Sequence, residues 1–286
     1  MSSVATPVQL GTFGVWAAAW ELNAARAVEI ERLGFGTLWV GGSPEAGLEI
    51  VETALAATST LSLATGIVNI WNTEASAVAD SYHRLEAAYP GRFLLGIGAG
   101  HREHTTEYVQ PYQALVNYLD VLDERGVPRE RRVLAALGPK VLRLAAERAA
   151  GAHPYLVPPA YTRSAREALG DAPLIATEHK VLLGTDRAKT RVTGRPSVAN
   201  PYLSLSNYLA NLRRLGFTEA DLADDGSDAL IDALVAQGDA TNAAALLREH
   251  LDAGADHVAV HVVPDSDDPL ATLGELAPAL GLTARG

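Results

Sequence analysis

The chain of 286 residues contains no cysteine, and positive charge is scarce. Without cysteine it forms no disulfide, no thiolate metal site and no cysteine nucleophile. The 23 lysine and arginine residues stand against 34 acidic residues, which gives a formal net charge of −11. Because nucleic acids and anionic membrane surfaces bind basic faces, we expect neither as a partner.

Long apolar runs are also lacking. No run approaches the roughly 18 residues of a membrane-spanning helix. The amino terminus, MSSVATPVQLG, lacks the basic segment and apolar core of a secretory signal. We therefore expect a soluble, cytoplasmic protein. Hydrophobic residues make up 48% of the chain, which is enough for a large core, and the length suits one α/β barrel.

One local pattern recurs along the chain: a helical stretch rich in Ala, Glu and Arg, then a glycine, then a short apolar run. The four clearest examples are 24–40, 82–98, 142–157 and 245–260. Each glycine falls where the end of a helix favours a left-handed residue. The apolar runs are nearly continuous rather than alternating, which is typical of parallel strands covered on both faces.

Eight such runs predict a (β/α)₈ barrel forming a single domain over 1–286. The predicted strands are 8–15, 36–41, 63–71, 93–100, 132–137, 152–157, 179–184 and 256–263. An open doubly wound sheet is the alternative, but no GxGxxG turn follows the first strand.

The stretch of about 184–240 is too long for a simple crossover and predicts an insertion after the seventh strand. It contains one predicted helix over 200–217, capped by Asn200, and another near 227–236. In a barrel this insertion would lie on the catalytic face as a lid or wall. The alternative is that it packs on the side of the barrel or in a dimer interface.

The predicted strand ends carry glycines and aromatic rings but few carboxylates. A glycosidase needs two carboxylates at such ends, and a GxSxG nucleophile turn is absent from the sequence. His101 and His104 are three residues apart, but a third metal ligand is not evident, so we predict no metal site. Glycine-rich ends instead allow the backbone to approach a planar ring closely.

The end of the fourth strand, GIGAGH (96–101), and the start of the helix after the fifth, LGPK (137–140), favour a phosphate-bearing cofactor together. A proline in the first turn leaves the other terminal amides free, and the helix dipole attracts an anion. Lys140 adds positive charge there. On its own, the fifth-strand turn would be an ordinary βα turn with a surface lysine.

The segments GRFLLGIGAGH (91–101) and LAALGPKVLRLAAERAAGAHPYLV (134–157) resemble the luciferase-like flavin and deazaflavin oxidoreductases. The late segments, from YLSLSNYLANLRRLGF to HLDAGADHVAVHVV, resemble a branch described as coenzyme F420-dependent. The resemblance covers nearly the whole chain. It implies a barrel with inserted segments, a homodimer, and a tricyclic ring at the barrel mouth with its phosphate near the fifth-strand turn.

Carried over by position, the resemblance implies a bulge at the end of the third strand, formed in some members through a non-prolyl cis peptide. The glycine and aromatic strand ends add further candidate cofactor contacts. The predicted cofactor-binding residues are Trp16, Gly41, Val68, Asn69, Gly98, Ala99, Gly100, His101, Leu137, Gly138, Pro139, Lys140 and Tyr155. Trp16, like Trp71, could equally fill core.

Two histidines are the candidate catalytic residues. His101 adjoins the proposed ring and titrates near neutral pH, so it suits the proton that accompanies hydride transfer, although an ordinary loop histidine is the alternative. His261 lies near the carboxyl end of the eighth strand, where we expect it to point into the mouth. His257, on the same face, is expected to be structural, and Glu178 and His179 are expected at the non-catalytic end of the seventh strand.

The sequence therefore predicts an F420-dependent oxidoreductase acting on an unidentified small organic substrate. The first alternative is an FMN-dependent monooxygenase that uses reduced flavin and oxygen. The second is a barrel that binds a cofactor or metabolite without catalysis. Arg187 and Arg191 share a face of the insertion, where they are either solvated or recruited by an anionic coenzyme tail.

Overall fold

The computed structural model describes residues 6–100, 110–263 and 268–285, and its strands form one closed parallel sheet. The strands are β1 (Phe13–Ala18), β2 (Thr37–Gly41), β3 (Ser62–Thr65), β4 (Val68–Asn69), β5 (Phe93–Gly98), β6 (Arg132–Leu134), β7 (Gly151–Ala152), β8 (Leu174–Leu183), β9 (Val235–Gly238) and β10 (His257–Val262). Because β10 pairs with both β1 and β8, the sheet closes into an eight-stranded barrel, with β3 and β4 sharing the third position. The predicted (β/α)₈ fold is confirmed.

Several predicted strand boundaries were wrong. The third strand is interrupted between Thr65 and Val68, and the Gly66–Ile67 peptide bond there is cis. The predicted strand 152–157 corresponds to β7, which pairs over two residues only, because Pro154 has no N–H to donate and Leu156 turns into the left-handed region at φ +54°. The predicted strand 179–184 corresponds to β8, which starts at Leu174, five residues earlier than predicted.

Helices alternate with the strands around the barrel, as the sequence pattern predicts. They are α1 (Ala24–Arg32), α2 (Glu49–Ala57), α3 (Ala75–Ala88), α4 (Pro111–Glu124), α5 (Pro139–Arg148), α6 (Pro159–Leu169), α7 (Arg187–Ala199), α8 (Ser206–Arg214), α9 (Glu219–Leu222), α10 (Asp228–Leu234), α11 (Ala240–Asp252) and α12 (Pro269–Ala279). Asn23 caps α1 by accepting from the Arg26 amide at 2.9 Å. Gly34 and Gly254 follow helix ends at φ +91° and +99°, as expected of C-cap glycines.

The main core lies between the barrel and its outer helices, and a second core fills the lower barrel. Trp39 occupies much of the lower barrel and packs against small residues from other strands, among them Ala64, Ala176 and Ala259. Large and small residues from different strands thereby fill the lower barrel together. None of the helices that the structure describes is long and apolar enough to cross a membrane.

The insertion after β8 contains α7, α8, α9 and α10 and ends in β9, which pairs with the last four residues of β8. The predicted helix over 200–217 is shorter than expected, because a 3₁₀ turn at Tyr202–Ser204 and the extended Leu205 occupy its first part, and α8 begins only at Ser206. A small core that includes Leu205, Leu212 and Ile231 holds these helices together.

Candidate active site

A cavity of about 970 Å³ lies at the carboxyl ends of the barrel strands, under the insertion. Eight of the predicted site residues line it: Trp16, Asn69, Ala99, Gly100, Leu137, Gly138, Tyr155 and His261. Residues of the insertion form the opposite wall, namely Ser197, Asn200, Tyr202, Ser206, Asn207 and Tyr208. The insertion is therefore a wall of the cavity, which was one of its two predicted positions.

Three predicted cofactor contacts lie behind the cavity lining instead of on it. A Cβ atom at Gly41 would lie 1.9 Å from the Trp16 ring, so the glycine allows that ring to pack on β2 and is covered by it. Val68 is fully buried, and Ile67 lines the cavity beside it. A Cβ atom at Gly98 would lie 3.0 Å from side-chain atoms of Ile67 and Ala135. The neighbours of these residues, not the residues themselves, form the surface.

The floor at the end of β5 is flat because glycine stands where a side chain would not fit. Gly100 has φ +58°, and a Cβ atom there would lie 2.8 Å from the Asn69 amide nitrogen. Below the floor, the Trp71 indole N–H donates to the Ala99 carbonyl at 2.5 Å. Trp71 thus supports the floor from behind. His101, the next residue, lies outside the described residues.

The turn before α5 leaves open space at the start of a helix. A Cβ atom added at Gly138 would meet nothing within 4 Å, and Gly138 lines the cavity. Pro139 and Lys140 lie outside the lining, but the Lys140 ammonium sits 3.8 Å above the ring of Tyr112, which does line it. This arrangement has room for an anionic group beside a helix N-terminus, with a cation at the rim.

The deep wall of the cavity carries a polar cluster, which we call the Glu178 cluster: Tyr155, Glu178, Lys180 and His261. The Glu178 carboxylate accepts from His261 Nδ1 at 2.8 Å, from the Leu156 amide at 2.8 Å and from Lys180 Nζ at 3.3 Å. Lys180 Nζ also donates to the Tyr155 hydroxyl at 2.9 Å and lies 3.2 Å from His261 Nδ1. The cluster joins three neighbouring strand positions of the barrel.

The placement of Glu178 at the non-catalytic end of its strand was therefore wrong. Because β8 begins at Leu174, Glu178 and Lys180 lie in its middle, and register with β10 sets Lys180 beside His261. Alternation along the strand turns His179 outward, where its Nδ1 lies 2.9 Å from His250 Nε2. His179 packs between strand and helices and takes no part in the cavity.

The charges of the Glu178 cluster stabilise one another in a site nearly closed to water. Burial opposes ionisation of Glu178, but the charge of Lys180 and the hydrogen bond from His261 outweigh it and hold the pKa of the carboxyl below its usual value. Burial lowers the pKa of the Lys180 ammonium, and Glu178 offsets part of that shift. Burial and the Lys180 charge also lower the pKa of His261, which favours the neutral ring.

The hydrogen bonds assign the proton on His261. An ionised carboxylate only accepts, so the 2.8 Å contact with Glu178 requires a proton on Nδ1 of the ring. The neutral ring then keeps its basic lone pair on Nε2. Among the described residues, all three hydrogen-bond contacts of His261 reach Nδ1. A carboxylate that orients an imidazole in this way leaves Nε2 able to accept a proton.

Aromatic rings surround the cluster. The Trp16 ring lies 4.2 Å from His261 and 5.4 Å from Tyr155, centroid to centroid. Tyr155 also contacts Tyr202 of the insertion at 5.5 Å, and Tyr202 contacts Tyr208 at 4.9 Å. Trp20 stands at the mouth of the cavity with 77% of its surface exposed. These rings give the cavity an apolar lining around a small polar wall.

His257, predicted to be structural, lies in the lower barrel. Its Nε2 accepts from the Trp39 indole N–H at 3.0 Å, and its Nδ1 donates to the Gly11 carbonyl at 2.7 Å. Arg187 and Arg191 are neither free nor turned to the cavity, since both pair with Asp232 of α10 at 2.8 and 2.5 Å. They hold α7 to α10 within the insertion.

The sequence analysis missed Lys180, Tyr202 and Tyr208 as cavity residues. A usable signal exists for Lys180, because a lysine within an apolar strand is rarely buried unless it is paired. The two tyrosines offered no comparable signal, since their positions depend on how the insertion folds over the barrel.

Comparison with known proteins agrees with this geometry. The sequence matches the model of the luciferase-like monooxygenase family over residues 2–257. The chain belongs to this family. No curated protein matches the sequence of this luciferase-like protein.

Three solved structures similar to this luciferase-like protein cover nearly all of it. An F420-dependent secondary alcohol dehydrogenase in complex with an F420–acetone adduct has TM-score 0.72 and 16% identity, covering 95% of this chain and 99% of its own. The F420-dependent tetrahydromethanopterin reductase from Methanopyrus kandleri has TM-score 0.70 and 16% identity, with 97% and 100% covered. The oxygenating constituent of 3,6-diketocamphane monooxygenase from Pseudomonas putida, in complex with FMN, has TM-score 0.68 and 13% identity, with 96% and 98% covered. At these identities the likeness shows the fold. The family itself consists of oxidoreductases and monooxygenases, so the protein is an oxidoreductase.

Proposed function

We propose that this luciferase-like protein is an F420-dependent oxidoreductase that moves a hydride between a deazaflavin and a small organic substrate. The observation that carries the proposal is the pairing of His261 with Glu178 on the cavity wall. A hydride transfer at a carbon that bears oxygen leaves a proton to be taken up or supplied, and this pair suits that task. The similarity to two F420-dependent enzymes supports the same cofactor.

The cavity fits a tricyclic cofactor and a substrate together. Its volume of about 970 Å³ lies near the upper end of ligand sites, which span about 300–1,000 Å³. Ile67, Ala99 and Gly100 would support the ring from below, and Gly138 would hold the phosphate at the start of α5. Lys140, at the rim beside Tyr112, would stabilise the remaining negative charge of the tail.

F420, when bound, would supply or accept the hydride. The protein contributes the rest. His261 Nε2 takes a proton from the substrate or returns it, and Glu178 fixes the ring orientation and stabilises its charged form. The Trp16 ring packed on His261 limits movement of the imidazole, and Tyr155 and Tyr202 reduce access of water from the insertion side.

An FMN-dependent monooxygenase is the second candidate. The glycine floor and the phosphate turn suit a flavin as well as a deazaflavin, and one similar structure holds FMN. We favour F420 because the polar cluster offers a base for hydride chemistry.

A binding titration tests the choice of cofactor. We expect F420 to quench the tryptophan fluorescence of the purified protein with a dissociation constant about tenfold or more below that of oxidised FMN. Trp16 and Trp20 line the cavity and provide the signal. Tighter binding of FMN would favour the monooxygenase, and failure of both to bind would refute the proposed function.

A carboxylate at the phosphate turn is expected to weaken cofactor binding selectively. In Gly138→Asp the new side chain enters open space, so the fold is kept, but its charge opposes the cofactor phosphate. We expect the dissociation constant for F420 to rise about tenfold or more, measured by the same fluorescence titration.

Two controls separate charge from shape in that experiment. Gly138→Asn has nearly the same size without the charge and should bind F420 far better than the aspartate variant. Gly274→Asp places the same charge in open space on α12 and should bind like the unaltered protein. Equal affinity of Gly138→Asp and Gly274→Asp would show that the phosphate does not bind at this turn.

Three features complete the proposal. We propose a homodimer as the oligomeric state, on the strength of the family resemblance, and a cytoplasmic location. The substrate is proposed to be a small organic molecule, since a cavity of this size with an apolar aromatic lining suits one beside the cofactor.

A further inference from the structure

Lys180 is an unusual residue for the interior of a barrel. Its side chain is 2% exposed, yet it lines the cavity, and among the described lining residues it is the only lysine or arginine. A buried ammonium is costly unless each of its donors finds an acceptor. A count of the hydrogen bonds made by the Lys180 ammonium therefore shows which of its donors remain for a ligand.

One of the three N–H donors of Lys180 has no acceptor among the described residues. An ammonium group has three N–H donors and no acceptor. One donor reaches Tyr155 and one reaches Glu178. The third cannot bond to His261 Nδ1, although that atom is 3.2 Å away, because Nδ1 already carries the proton donated to Glu178. Among the described residues no other acceptor lies within hydrogen-bond distance of Nζ.

The Tyr155 hydroxyl accounts for one of the Lys180 donors. It accepts from Lys180 Nζ at 2.9 Å, and the Tyr155 ring lies 5.5 Å from the ring of Tyr202, centroid to centroid. Among the described residues, the deep wall therefore keeps one donor of Lys180 and one acceptor, the Nε2 lone pair of His261, without a partner, and both residues line the cavity. The two groups belong to neighbouring strands, paired Lys180 to His261 in the register of β8 and β10.

We infer that Lys180 and His261 form a hydroxyl-binding site inside the cavity, and that the substrate is an alcohol oxidised to its carbonyl compound. The inference rests on the proposed function for the hydride acceptor. A hydroxyl group carries one donor and can accept, which complements this wall. A carboxylate, which only accepts, would set a lone pair against Nε2. The aromatic rings around the wall favour an apolar carbon skeleton.

The bonds of the reaction balance in this site. The O–H bond of the alcohol breaks and its proton passes to His261 Nε2. The C–H bond also breaks, and its hydrogen leaves with both bonding electrons as a hydride, which the oxidised deazaflavin would accept. The C=O double bond forms between the carbon and the oxygen that have lost these hydrogens. Lys180 donates its free N–H to the oxygen and stabilises the negative charge that develops there. Lys180 and His261 thus act on the same atom.

The test uses the cofactor-free protein and two probes of matched size, 4-nitrophenol and nitrobenzene. We expect 4-nitrophenol to bind with the visible absorption of its phenolate at a pH where the free probe is mostly neutral, because its proton passes to His261 and its charge faces Lys180. Lys180→Met should weaken 4-nitrophenol binding about tenfold or more and remove the phenolate band. Nitrobenzene, which lacks the hydroxyl, should bind to both proteins alike.

Nitrobenzene also reports whether the cavity of each variant is intact. If Lys180→Met fails to fold because Glu178 is left unpaired, Glu178→Gln/Lys180→Met removes both charges and takes its place. Lys189→Met, on the exposed side of α7, is the matched control and should keep the phenolate band. Unchanged 4-nitrophenol binding in the Lys180 variants, or equal loss of both probes, would overturn the inference.

The F420 titration separates the two proposals. Binding of F420 without Lys180-dependent binding of 4-nitrophenol would overturn the hydroxyl site and leave the proposed function standing. Lys180-dependent binding of the phenolate without binding of F420 would support the hydroxyl site and refute the choice of cofactor.

Discussion

Acidification from about pH 7 to about pH 5 is expected to lower the free energy of unfolding by roughly 6 kcal/mol. Burial lowers the pKa of His153, His179 and His257 to about 4, against 6.5 when the ring is exposed to water. Between these values the unfolded chain binds protons that the folded chain does not, so stability is present above pH 6.5 and lost as the pH falls. Each ring contributes about 1.4 kcal/mol per pH unit, or about 2 kcal/mol at pH 5.

The hydrogen bonds of His257 explain why protonation is unfavourable. Its Nε2 accepts from the Trp39 indole, so a proton on that atom would set two donors against each other in a site closed to water. His250, whose pKa burial lowers well below 6.5, lies against His179 with a single proton between the two rings and adds to the effect. The predicted loss is comparable to the whole stability of a typical domain, about 5–15 kcal/mol.

Urea unfolding at a series of pH values measures this loss. His257→Gln is the informative variant, because glutamine accepts from Trp39 and donates to the Gly11 carbonyl without titrating. Its free energy of unfolding should fall with pH less steeply than that of the unaltered protein, by about 1.4 kcal/mol per unit below pH 6.5. A free energy of unfolding that stays level from pH 7 to pH 5 would contradict the assignment of neutral buried rings.

The barrel itself was predictable because its signals are local. Each unit of helix, glycine and apolar strand lies within about 20 residues, and glycines such as Gly34 and Gly254 adopt the left-handed conformation that the pattern implied. Parallel pairing of the strands then follows from burial on both faces. The eight apolar runs of the sequence were enough to indicate a closed barrel.

The polar wall was not predictable in the same way. The charged stretch Glu178–Lys180 looked like the start of a strand, because isolated charges are avoided within buried strands. In the folded protein these charges stabilise one another, and their partner His261 comes from a strand about 80 residues away. Register between β8 and β10 decides that contact, and sequence periodicity carries no information on register between distant strands.

The cavity surface was predictable only to within about one residue. The turn at Gly138 and the floor at Gly100 follow from helix starts and glycine spacing. Gly41, Val68 and Gly98 lie one position away from residues that reach the surface. The direction of successive side chains reverses along a strand, so a small error in strand phase places the wrong neighbour in the cavity.

Breaking the buried ion pair on one side only is expected to cost more than removing it entirely. Glu178→Gln or Lys180→Met should each lower the free energy of unfolding by about 3–5 kcal/mol, because each leaves the other charge buried without its main partner. Glu178 is fully buried and the Lys180 side chain is 2% exposed, so water screens the remaining charge only weakly. The double variant Glu178→Gln/Lys180→Met buries no net charge and should be more stable than either single variant.

Denaturant unfolding of the four proteins completes a double-mutant cycle that measures the coupling between the two side chains. The exposed pair Arg213–Glu219, at 2.6 Å on the insertion, provides the comparison, and Arg213→Met with Glu219→Gln should show little coupling because both groups face water. A double variant at Glu178 and Lys180 that is less stable than both single variants would mean that the pair is not held together by its charges. That result would also weaken the case for the hydroxyl site, because the proposed position of the Lys180 ammonium at the cavity wall depends on its contact with Glu178.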